Sequence, residues 1–267
     1  MQTKVIIVGA AGRMGKRFIT LAAESGEFEI VGAIDLLSNP DFGKDAGLAA
    51  GISNTYVTIT DTFPMIDSGV VVDFSLPEAL DKNIDFCTEN GIALVSGTTG
   101  LSEGQKERIK DASRIIPILY TTNLSVGMNV LFSLAGKVAT MLGDEYDIEI
   151  IEQHHRFKKD APSGSALTIA EKICDATERD YPGSLVFGRS GIVAQRQKGE
   201  IGIHAIRAGD ITGMHSVMFA CLGETFALNH TAQNRDTFIR GALRAAKWIA
   251  GKEPALYSMA DVLGLVG

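Results

Sequence analysis

The segment 152–165, EQHHRFKKDAPSGS, carries the side chains of this sequence that are best suited to chemistry on a small anion. His154 and His155 can divide acid–base work and anion binding between them, because an imidazole gains or loses its proton near neutral pH. Lys158 adds a permanent positive charge with three hydrogen-bond donors. We expect a pocket that binds an anionic substrate and exchanges a proton with it. A solvated basic loop is the alternative for a charge run of this kind.

The end of the same segment is typical of the start of a helix. Ser163 is a candidate N-cap, since a serine side chain there accepts a hydrogen bond from a backbone N–H of the first turn. The N–H groups of Gly164 and Ser165 would then point at an incoming carboxylate, with the positive end of the helix dipole behind them. The pattern therefore predicts that Gly164 and Ser165 bind a carboxylate of the substrate.

A glycine-rich turn, GAAGRMG at 9–15, follows the apolar run KVIIV at 4–8. The first two glycines can let the backbone turn and approach a pyrophosphate, and Gly15 can let the next helix pack on the sheet. The start of that helix offers its N–H groups to the anion. The spacing is GxxGxxG rather than GxGxxG, and a tight turn without a ligand is the alternative. The context favours a dinucleotide site, whose expected contacts are Gly9, Ala10, Ala11, Gly12, Arg13 and Met14.

Asp35 ends the second predicted strand and bears on the choice of cofactor. A carboxylate at this place accepts hydrogen bonds from a ribose 2′-hydroxyl and repels a 2′-phosphate. A turn residue at the end of the strand, with no ligand contact, is the alternative. Leu36 and Leu37 follow it, where an arginine would favour the phosphate. We expect NADH to be the favoured cofactor, while Arg13 and Lys44 leave room for NADPH.

Two further loops follow predicted strands, at the sheet edge where doubly wound folds bind their ligands. Gly97-Thr98-Thr99-Gly100 follows the strand 93–96, and its small hydroxyl side chains suit close approach to a nicotinamide or its ribose. Thr121-Thr122-Asn123-Leu124 ends the strand 117–120 at the same edge. A glycine turn capped by threonines is the alternative for the first loop. We expect both loops to line the cofactor.

The elements that must position these residues follow from the apolar patterns, which indicate two domains. Short apolar strands alternate with helices up to residue 120, which predicts an α/β domain with a Rossmann-type doubly wound parallel sheet. Its strands are expected at 4–8, 29–34, 70–74, 93–96 and 117–120, and its helices at 13–25, 79–90 and 103–113.

After residue 123 the pattern changes to that of a second, α+β domain built on a mixed or antiparallel sheet. Its helices are expected at 128–142 and 165–177, and its strands at 146–153, 199–207, 215–220 and 224–231. The last helix, 237–251, is expected to return to the first domain. The predicted domains are thus 1–124, completed by 235–267, for the dinucleotide, and 125–234 for the substrate and for oligomerisation.

Composition excludes several classes of protein. The net charge of −7 argues against a nucleic-acid partner, because such binding depends on neutralising phosphates. No apolar stretch approaches the roughly 20 residues that span a bilayer, and the amino-terminal residues lack a signal-peptide layout, so we expect a cytoplasmic protein. Cys87, Cys174 and Cys221 are widely spaced, which predicts buried small hydrophobic residues rather than a disulfide framework or a metal site.

These motifs resemble those of the dihydrodipicolinate reductase family, the 4-hydroxy-tetrahydrodipicolinate reductases of the diaminopimelate route to lysine. The family's hallmark is a glutamate, two histidines, a lysine and then DAPSG followed by Thr or Ser, and residues 152–165 match it nearly throughout. The resemblance extends over the whole chain. Its further segments are 9–15, Asp73-Phe74-Ser75, 97–100, 123–127, and Arg207-Ala208-Gly209-Asp210 with His215 after it.

The resemblance implies an NAD(P)H-dependent reduction of a cyclic imine with two carboxylates to tetrahydrodipicolinate. It makes His154 the acid–base histidine and Lys158 the proton donor, and it implies a homotetramer built through the sheet of the second domain. The substrate's carboxylates would contact His155, Lys158, Gly164 and Ser165. The cofactor would be lined by Phe74, Gly97, Thr98, Thr99, Thr121, Thr122, Asn123 and Leu124. Leu124 and Leu36 depart from the family, since many members carry phenylalanine at the first place and NADPH-accepting members often carry arginine at the second.

Two other functions remain open from the sequence. One is a related two-domain dehydrogenase that acts on an amino acid, such as an aspartate dehydrogenase. The other is a non-catalytic sensor of the nicotinamide cofactor, against which the cluster of His154, His155 and Lys158 argues, because a sensor needs no proton donor. An acylating semialdehyde dehydrogenase would need a nucleophilic cysteine in a marked loop, and none of the three cysteines lies in one.

Overall fold

In the computed structural model, which describes residues 2–265, the chain forms two compact units. One unit runs to Val126 and takes up the chain again at Asp236, and the other is Gly127–Arg235. The domain boundaries predicted from the sequence lie between residues 124 and 125 and between residues 234 and 235, within two residues of those in the structure. The first unit carries the glycine-rich turn and the second carries the histidine pair, so each can be described by itself.

The first unit is built on a seven-stranded sheet in which every neighbouring pair is parallel. The strands are β1 (Thr3–Val8), β2 (Phe28–Ile34), β3 (Ile59–Thr60), β4 (Val70–Asp73), β5 (Ala93–Ser96), β6 (Pro117–Tyr120) and β12 (Ala255–Tyr257). Their order is β12-β6-β5-β4-β1-β2-β3. The chain thus runs outward from β1 through β2 to β3, returns to β4 on the other side of β1, and then runs outward in the opposite direction to β12. Open parallel sheets bind ligands at such a switch point, beyond the carboxyl ends of the strands.

Helices cover both faces of this sheet, which explains why its strands are apolar throughout rather than alternating. Val5 and Ile7 of β1 belong to one core cluster, whereas Ile6 and Val8 belong to the other. The helices are α1 (Arg13–Ser25), α2 (Ala46–Ala49), α3 (Leu80–Asn90), α4 (Glu103–Ala112), α7 (Asp236–Ile249) and α8 (Met259–Leu263), with a 3₁₀ turn at Pro77–Ala79. As expected, α7 returns to this unit, where it buries Ile239, Ala242, Ala245, Ala246 and Ile249.

The second unit is built on a five-stranded mixed sheet with the order β11-β10-β7-β9-β8. The strands are β7 (Asp147–His154), β8 (Leu185–Phe187), β9 (Ile201–Arg207), β10 (Gly213–Cys221) and β11 (Glu224–Ala232), and the helices are α5 (Val126–Leu142) and α6 (Gly164–Thr177). β10 is antiparallel to β7 and β11, while β7, β9 and β8 run parallel. The fold class expected from the sequence is confirmed in both units.

The structure corrects the sequence-based expectation in several details. Five short elements, α2, β3, β8, β12 and α8, were not expected, because two to five residues are too few to show a period and their stability comes from a neighbour in space. β12, for example, exists because it pairs with β6 at the edge of the sheet. Cys221 is half-buried at the end of β10, so the expectation of burial is wrong for this cysteine. Among the described residues, no helix combines the length and apolar character needed to cross a bilayer.

Candidate active site

Two positions of the turn after β1 require glycine because a Cβ atom there would collide with neighbouring backbone atoms. Gly9 has a φ of +76°, and a Cβ there would lie 2.8 Å from the Phe74 carbonyl oxygen. A Cβ at Gly15 would lie 2.2 Å from the Gly9 carbonyl oxygen. The turn, the loop after β4 and the first turn of α1 are therefore in backbone contact, as a close-packed dinucleotide turn requires.

The backbone N–H groups of this turn are used in two different ways. Those of Gly9 and Ala10 donate to Ile34 O, and that of Gly12 donates to Gly9 O. The N–H of Ala11 donates to Asp35 Oδ2 at 2.8 Å. By contrast, the start of α1 has no side-chain cap, because its N-cap is Gly12. An anion at this place would thus meet the first-turn N–H groups of α1 rather than those of the turn itself.

Asp35 lies at the end of β2, beside this turn. Its Oδ1 accepts from Leu36 N at 2.8 Å and from Asn39 Nδ2 at 3.2 Å, so the carboxylate is oriented by its surroundings. Lys44, a residue considered for NADPH, is paired with Asp41, which also pairs with Lys16. Hydrogen bonds from the two lysines lower the pKa of Asp41 to about 2. Asp41 carries one negative charge against the two lysines, so the three side chains together keep a net positive charge.

A cavity of about 260 Å³ opens beside the turn, in the first unit. Eight of its lining residues were expected from the sequence: Met14, Phe74, Gly97, Thr98, Thr99, Thr122, Asn123 and Leu124. Ser75 and Phe238 also line it and were missed; Phe238 comes from α7, more than a hundred residues further along the chain. Thr121 is not among the lining residues, since its Oγ1 accepts from Asn123 N and donates to Asn123 O, which shapes the turn.

Asp73, the last residue of β4, organises the loops around this cavity. Its carboxylate is fully buried and accepts from four groups. Oδ1 accepts from the N–H and the hydroxyl of Ser75, and Oδ2 accepts from Ser96 Oγ at 3.1 Å and from Thr98 Oγ1 at 2.9 Å. One carboxylate thus joins the loop after β4 to the loop after β5. The sequence marked Asp73 only through the family motif.

We expect Asp73→Asn to weaken NADH binding about tenfold, because the amide keeps one acceptor oxygen and turns the other into an NH2 group, which cannot accept from the donors of one of the two loops. Fluorescence titration of NADH measures the effect. Asp67→Asn is the matched control, since Asp67 is an exposed partner of Lys4 in the same unit. Equal NADH affinity in the two variants would show that the Asp73 contacts do not shape the cofactor site.

Glu152 is the centre of a polar cluster in the second unit, and its side chain is fully buried. Arg207 binds both of its oxygens, with Nη1 2.8 Å from Oε2 and Nη2 2.8 Å from Oε1. His154 Nδ1 lies 2.6 Å from Oε2, and Ser163 N donates to Oε1 at 3.0 Å. Burial by itself raises the pKa of Glu152, but these hydrogen bonds outweigh it and lower the pKa. The carboxylate is therefore ionised.

His154 and His215 form the imidazole pair of this cluster, with ring centroids 5.2 Å apart in an edge-to-face arrangement. Burial lowers the pKa of His154, although Glu152 acts in the opposite direction. Burial and the neighbouring His154 lower the pKa of His215 to about 3. His215 is thus neutral at any working pH, and His154 is less readily protonated than a free imidazole.

His155 and Lys158, the other side chains predicted for this site, lie in the short loop that follows β7. The side chain of Lys158 is about a quarter exposed, its Nζ lies 2.9 Å from Asp160 Oδ2, and its backbone N–H donates to His155 O. The Nδ1 atom of His155 is buried without a partner among the described residues. Such an atom is a site where a bound ligand can supply the missing hydrogen bond.

Ser163 is the N-cap of α6, as expected: its Oγ accepts from Ala166 N at 3.2 Å. Gly164 and Ser165 are the first two residues of this helix. Gly164 is exposed, its backbone has no positive φ, and a Cβ there would have no neighbour within 4 Å. The backbone at the start of α6 is therefore accessible to a small anion.

Models of the dihydrodipicolinate reductase family match both parts of the chain, the N-terminal model at residues 3–124 and the C-terminal model at 127–263. The chain belongs to the dihydrodipicolinate reductase family. Two relatives named 4-hydroxy-tetrahydrodipicolinate reductase are each 45% identical to it. That of Alkalilimnicola ehrlichii aligns over 99% of this chain and 100% of its own, and that of Pseudoalteromonas atlantica over 98% and 99%.

Among solved structures, a dipicolinate-bound dihydrodipicolinate reductase from Paenisporosarcina shares the fold, with a TM-score of 0.76 at 22% identity. It covers 98% of this chain and 99% of its own. The resemblance to the dihydrodipicolinate reductase family, and the reductase function it implies, are confirmed at the level of the family. The relatives give no support to the aspartate dehydrogenase-like or sensor alternatives over it.

Three members of the cluster, Glu152, Arg207 and His215, had no role in our sequence-based interpretation beyond the dihydrodipicolinate reductase motifs. A signal for two of them exists. On β7, Ile148 and Ile150 point into the core, so Glu152 is a charged residue at the next inward position. On β10, His215 occupies an inward position in the same way. Which strands are neighbours cannot be learned from either pattern, so the sequence did not bring the three together.

Proposed function

We propose that this protein reduces the cyclic imine dicarboxylate derived from 4-hydroxy-tetrahydrodipicolinate to tetrahydrodipicolinate, with NAD(P)H as reductant, in the diaminopimelate route to lysine. The observation that carries the proposal is the cluster around His154. A proton-exchanging histidine, a lysine and an accessible helix start lie together in one unit, which is the combination that a dicarboxylate with a reducible imine requires.

The proposed chemistry adds a hydride to the ring carbon at the end of the conjugated system, with electron density moving to the imine nitrogen. The dinucleotide supplies the hydride when it is bound. Lys158 donates the proton that completes the reduction, and His154 acts as the acid–base group beside it. His155, Lys158, Gly164 and Ser165 hold the carboxylates, since cationic groups and helix-start N–H groups stabilise negative charge in a partly buried site.

Oxidation of NADH by the purified protein, dependent on the imine substrate, is the decisive test of this function. We expect oxidation with the imine dicarboxylate and none when it is omitted. An aspartate dehydrogenase-like enzyme would instead reduce NAD with aspartate, and a sensor would bind NADH without turnover. Either of these results would replace the proposal.

The proposed cofactor site uses the glycine-rich turn and the cavity of the first unit. The residues fit a dinucleotide, because Gly9 lacks the Cβ that would block the turn and α1 begins without a side-chain cap. The first-turn N–H groups of Arg13 and Met14 hold the pyrophosphate. The nicotinamide half lies along Phe74, Gly97–Thr99 and Thr122–Leu124. Gly12 allows the close approach, and Ala10, Ala11 and Thr121 act by maintaining the turns.

We expect NADH to be used at least as well as NADPH. Asp35 presents a carboxylate where the 2′ position of the ribose binds, and Leu36 and Leu37 supply no compensating charge. Steady-state kinetics with the two cofactors measure the preference. A kcat/KM for NADPH more than about tenfold higher, equivalent to roughly 1.4 kcal/mol, would contradict this argument.

The division of labour between the units and the assembly form a further part of the proposal. Residues 1–124 with 235–267 bind the cofactor, and 125–234 bind the substrate and form a homotetramer through the sheet. In support, α5 and α6 pack on one face of the five-stranded sheet. Ile206 of β9 lies outside this core and is 42% exposed, so it is an apolar side chain that a second copy of the chain can cover. Light scattering should give the mass of four chains. The cytoplasmic location expected from the sequence stays a prediction.

A further inference from the structure

Glu152 has no unused hydrogen-bonding position in its plane. Each oxygen accepts from Arg207 and from one further group, which is Ser163 N for Oε1 and His154 Nδ1 for Oε2. A carboxylate has about four such positions, so this one is saturated. The partners come from three places: the end of β7, the end of β9 and the residue before α6. A single buried charge therefore joins the two functional parts of the unit.

We propose that Glu152 is a positioning residue that couples the acid–base histidine, His154, to the carboxylate-binding start of α6. The inference rests on the roles given to His154 and α6 in the proposed function. Glu152 does not touch the reacting atoms. It acts through its two partners, and Arg207 holds it in place by binding both oxygens in the plane that the guanidinium group favours.

For His154, the contact selects one tautomer. An ionised carboxylate only accepts, so the proton of the neutral imidazole lies on Nδ1 and Nε2 is the atom that takes up a proton. The charged groups that influence His154 are Glu152 on its own strand, Lys158 after it and Arg207 on β9, with His215 on β10 against its ring. Among these, Glu152 alone favours the protonated ring.

For α6, the contact holds the residue before the helix from two sides. The N–H of Ser163 donates to Glu152, while its Oγ lies 3.3 Å from His215 Nε2 and accepts from Ala166 N. Ser163 is almost fully buried, so neither contact can be replaced by water at no cost. Without Glu152, the backbone that leads into Gly164 and Ser165 loses the partner that sets its direction.

The test is Glu152→Gln, with Glu149→Gln as the matched control. Glutamine keeps the size of the side chain but removes its charge and turns one acceptor into a donor that faces other donors. Glu149 lies on the same strand and has a comparable number of hydrogen-bonded partners, since it binds Arg189, Arg196 and His204. None of these partners is His154 or Ser163. A purely structural role of hydrogen-bonded carboxylates in β7 would affect both variants alike.

We expect Glu152→Gln to raise the Kd of pyridine-2,6-dicarboxylate about tenfold, to lower kcat by at least as much, and to leave the Kd of NADH unchanged. The pKa of His154, followed by NMR of its ring proton, should fall by about one unit because the neighbouring negative charge is lost. Glu149→Gln should match the parent protein in all four measurements. Parent values in Glu152→Gln, with only a lower Tm, would overturn the proposal.

Two conservative variants cover the case in which Glu152→Gln fails to fold. Glu152→Asp keeps the charge on a shorter side chain, and Arg207→Lys keeps the opposing charge but not the two-point contact. We expect both to show smaller changes in the same direction, and unchanged His154 pKa and dicarboxylate Kd in both would also overturn the proposal. Its failure is distinguishable from failure of the proposed function, in which the parent protein itself would not oxidise NADH or bind the dicarboxylate.

Discussion

Lys158→Ala is expected to lower kcat by about 10²- to 10⁴-fold, because the proposed mechanism makes Lys158 the proton donor and this is the usual loss when such a group is removed. The side chain of Lys158 is only about a quarter exposed and its ammonium group lies 2.9 Å from Asp160 Oδ2, so its position is defined. His155→Ala is expected to act on KM instead, with a rise of about tenfold, because His155 contributes an anion contact and no proton.

Steady-state kinetics on the two variants separate these roles, and Lys159→Ala is the matched control. Lys159 is the next residue and is exposed, so its loss removes the same charge from the loop without removing a group that we place at the substrate. We expect this control to keep the kcat of the parent protein. If Lys158→Ala and His155→Ala both raised KM equally and left kcat untouched, Lys158 would not be the proton donor.

Gly164→Val is expected to abolish binding of the dicarboxylate within the measurable range, which corresponds to a rise in Kd of at least about a hundredfold. The fold should tolerate the change, because a Cβ at Gly164 has open space around it and the backbone is not in the left-handed region. The same open space is where we place a substrate carboxylate, so the valine occupies the position of the ligand. Ser165→Ala should cost about ten- to a hundredfold in kcat/KM, through one lost charge-assisted hydrogen bond.

Calorimetric titration with pyridine-2,6-dicarboxylate measures the effect, and Gly104→Val supplies the control. Gly104 lies in the first turn of α4, and a Cβ there would also have no neighbour within 4 Å, but it belongs to the first unit. Both variants should bind NADH as the parent protein does. Parent-like dicarboxylate affinity in Gly164→Val, or an inhibitor-bound structure with the carboxylates away from the start of α6, would show that the anion site is elsewhere.

Much of the fold could be predicted because its long elements carry a clear period or a clear end signal. β5 and β6 have the expected bounds, since each is a short apolar run between a glycine or proline and a polar loop. α1 also has its expected bounds, between the glycine turn and Gly26, which takes the left-handed conformation that ends helices. By contrast, β8 and β12 are three-residue strands that exist through pairing, which no local pattern announces.

The candidate site was predictable where its residues are close together in the sequence and not where they meet only in space. His154, Lys158 and the start of α6 lie within one segment, so their types and spacing were enough to group them. Arg207 reaches Glu152 because β9 pairs with β7 in a parallel register that places it beside His154. That register is a property of the folded sheet, and Arg207 could only be marked through a family motif.

The discontinuous first unit has a consequence for how the chain acquires its structure during synthesis. Its seven-stranded sheet is covered on one face by α7, and Asp236 at the start of that helix binds Arg17 of α1. A ribosome makes α7 only after the whole of the second unit, so the nascent first unit carries an apolar face that α1 covers only in part for as long as residues 127–235 are being added. The second unit can fold first, and completion of the dinucleotide fold then waits for the last thirty or so residues.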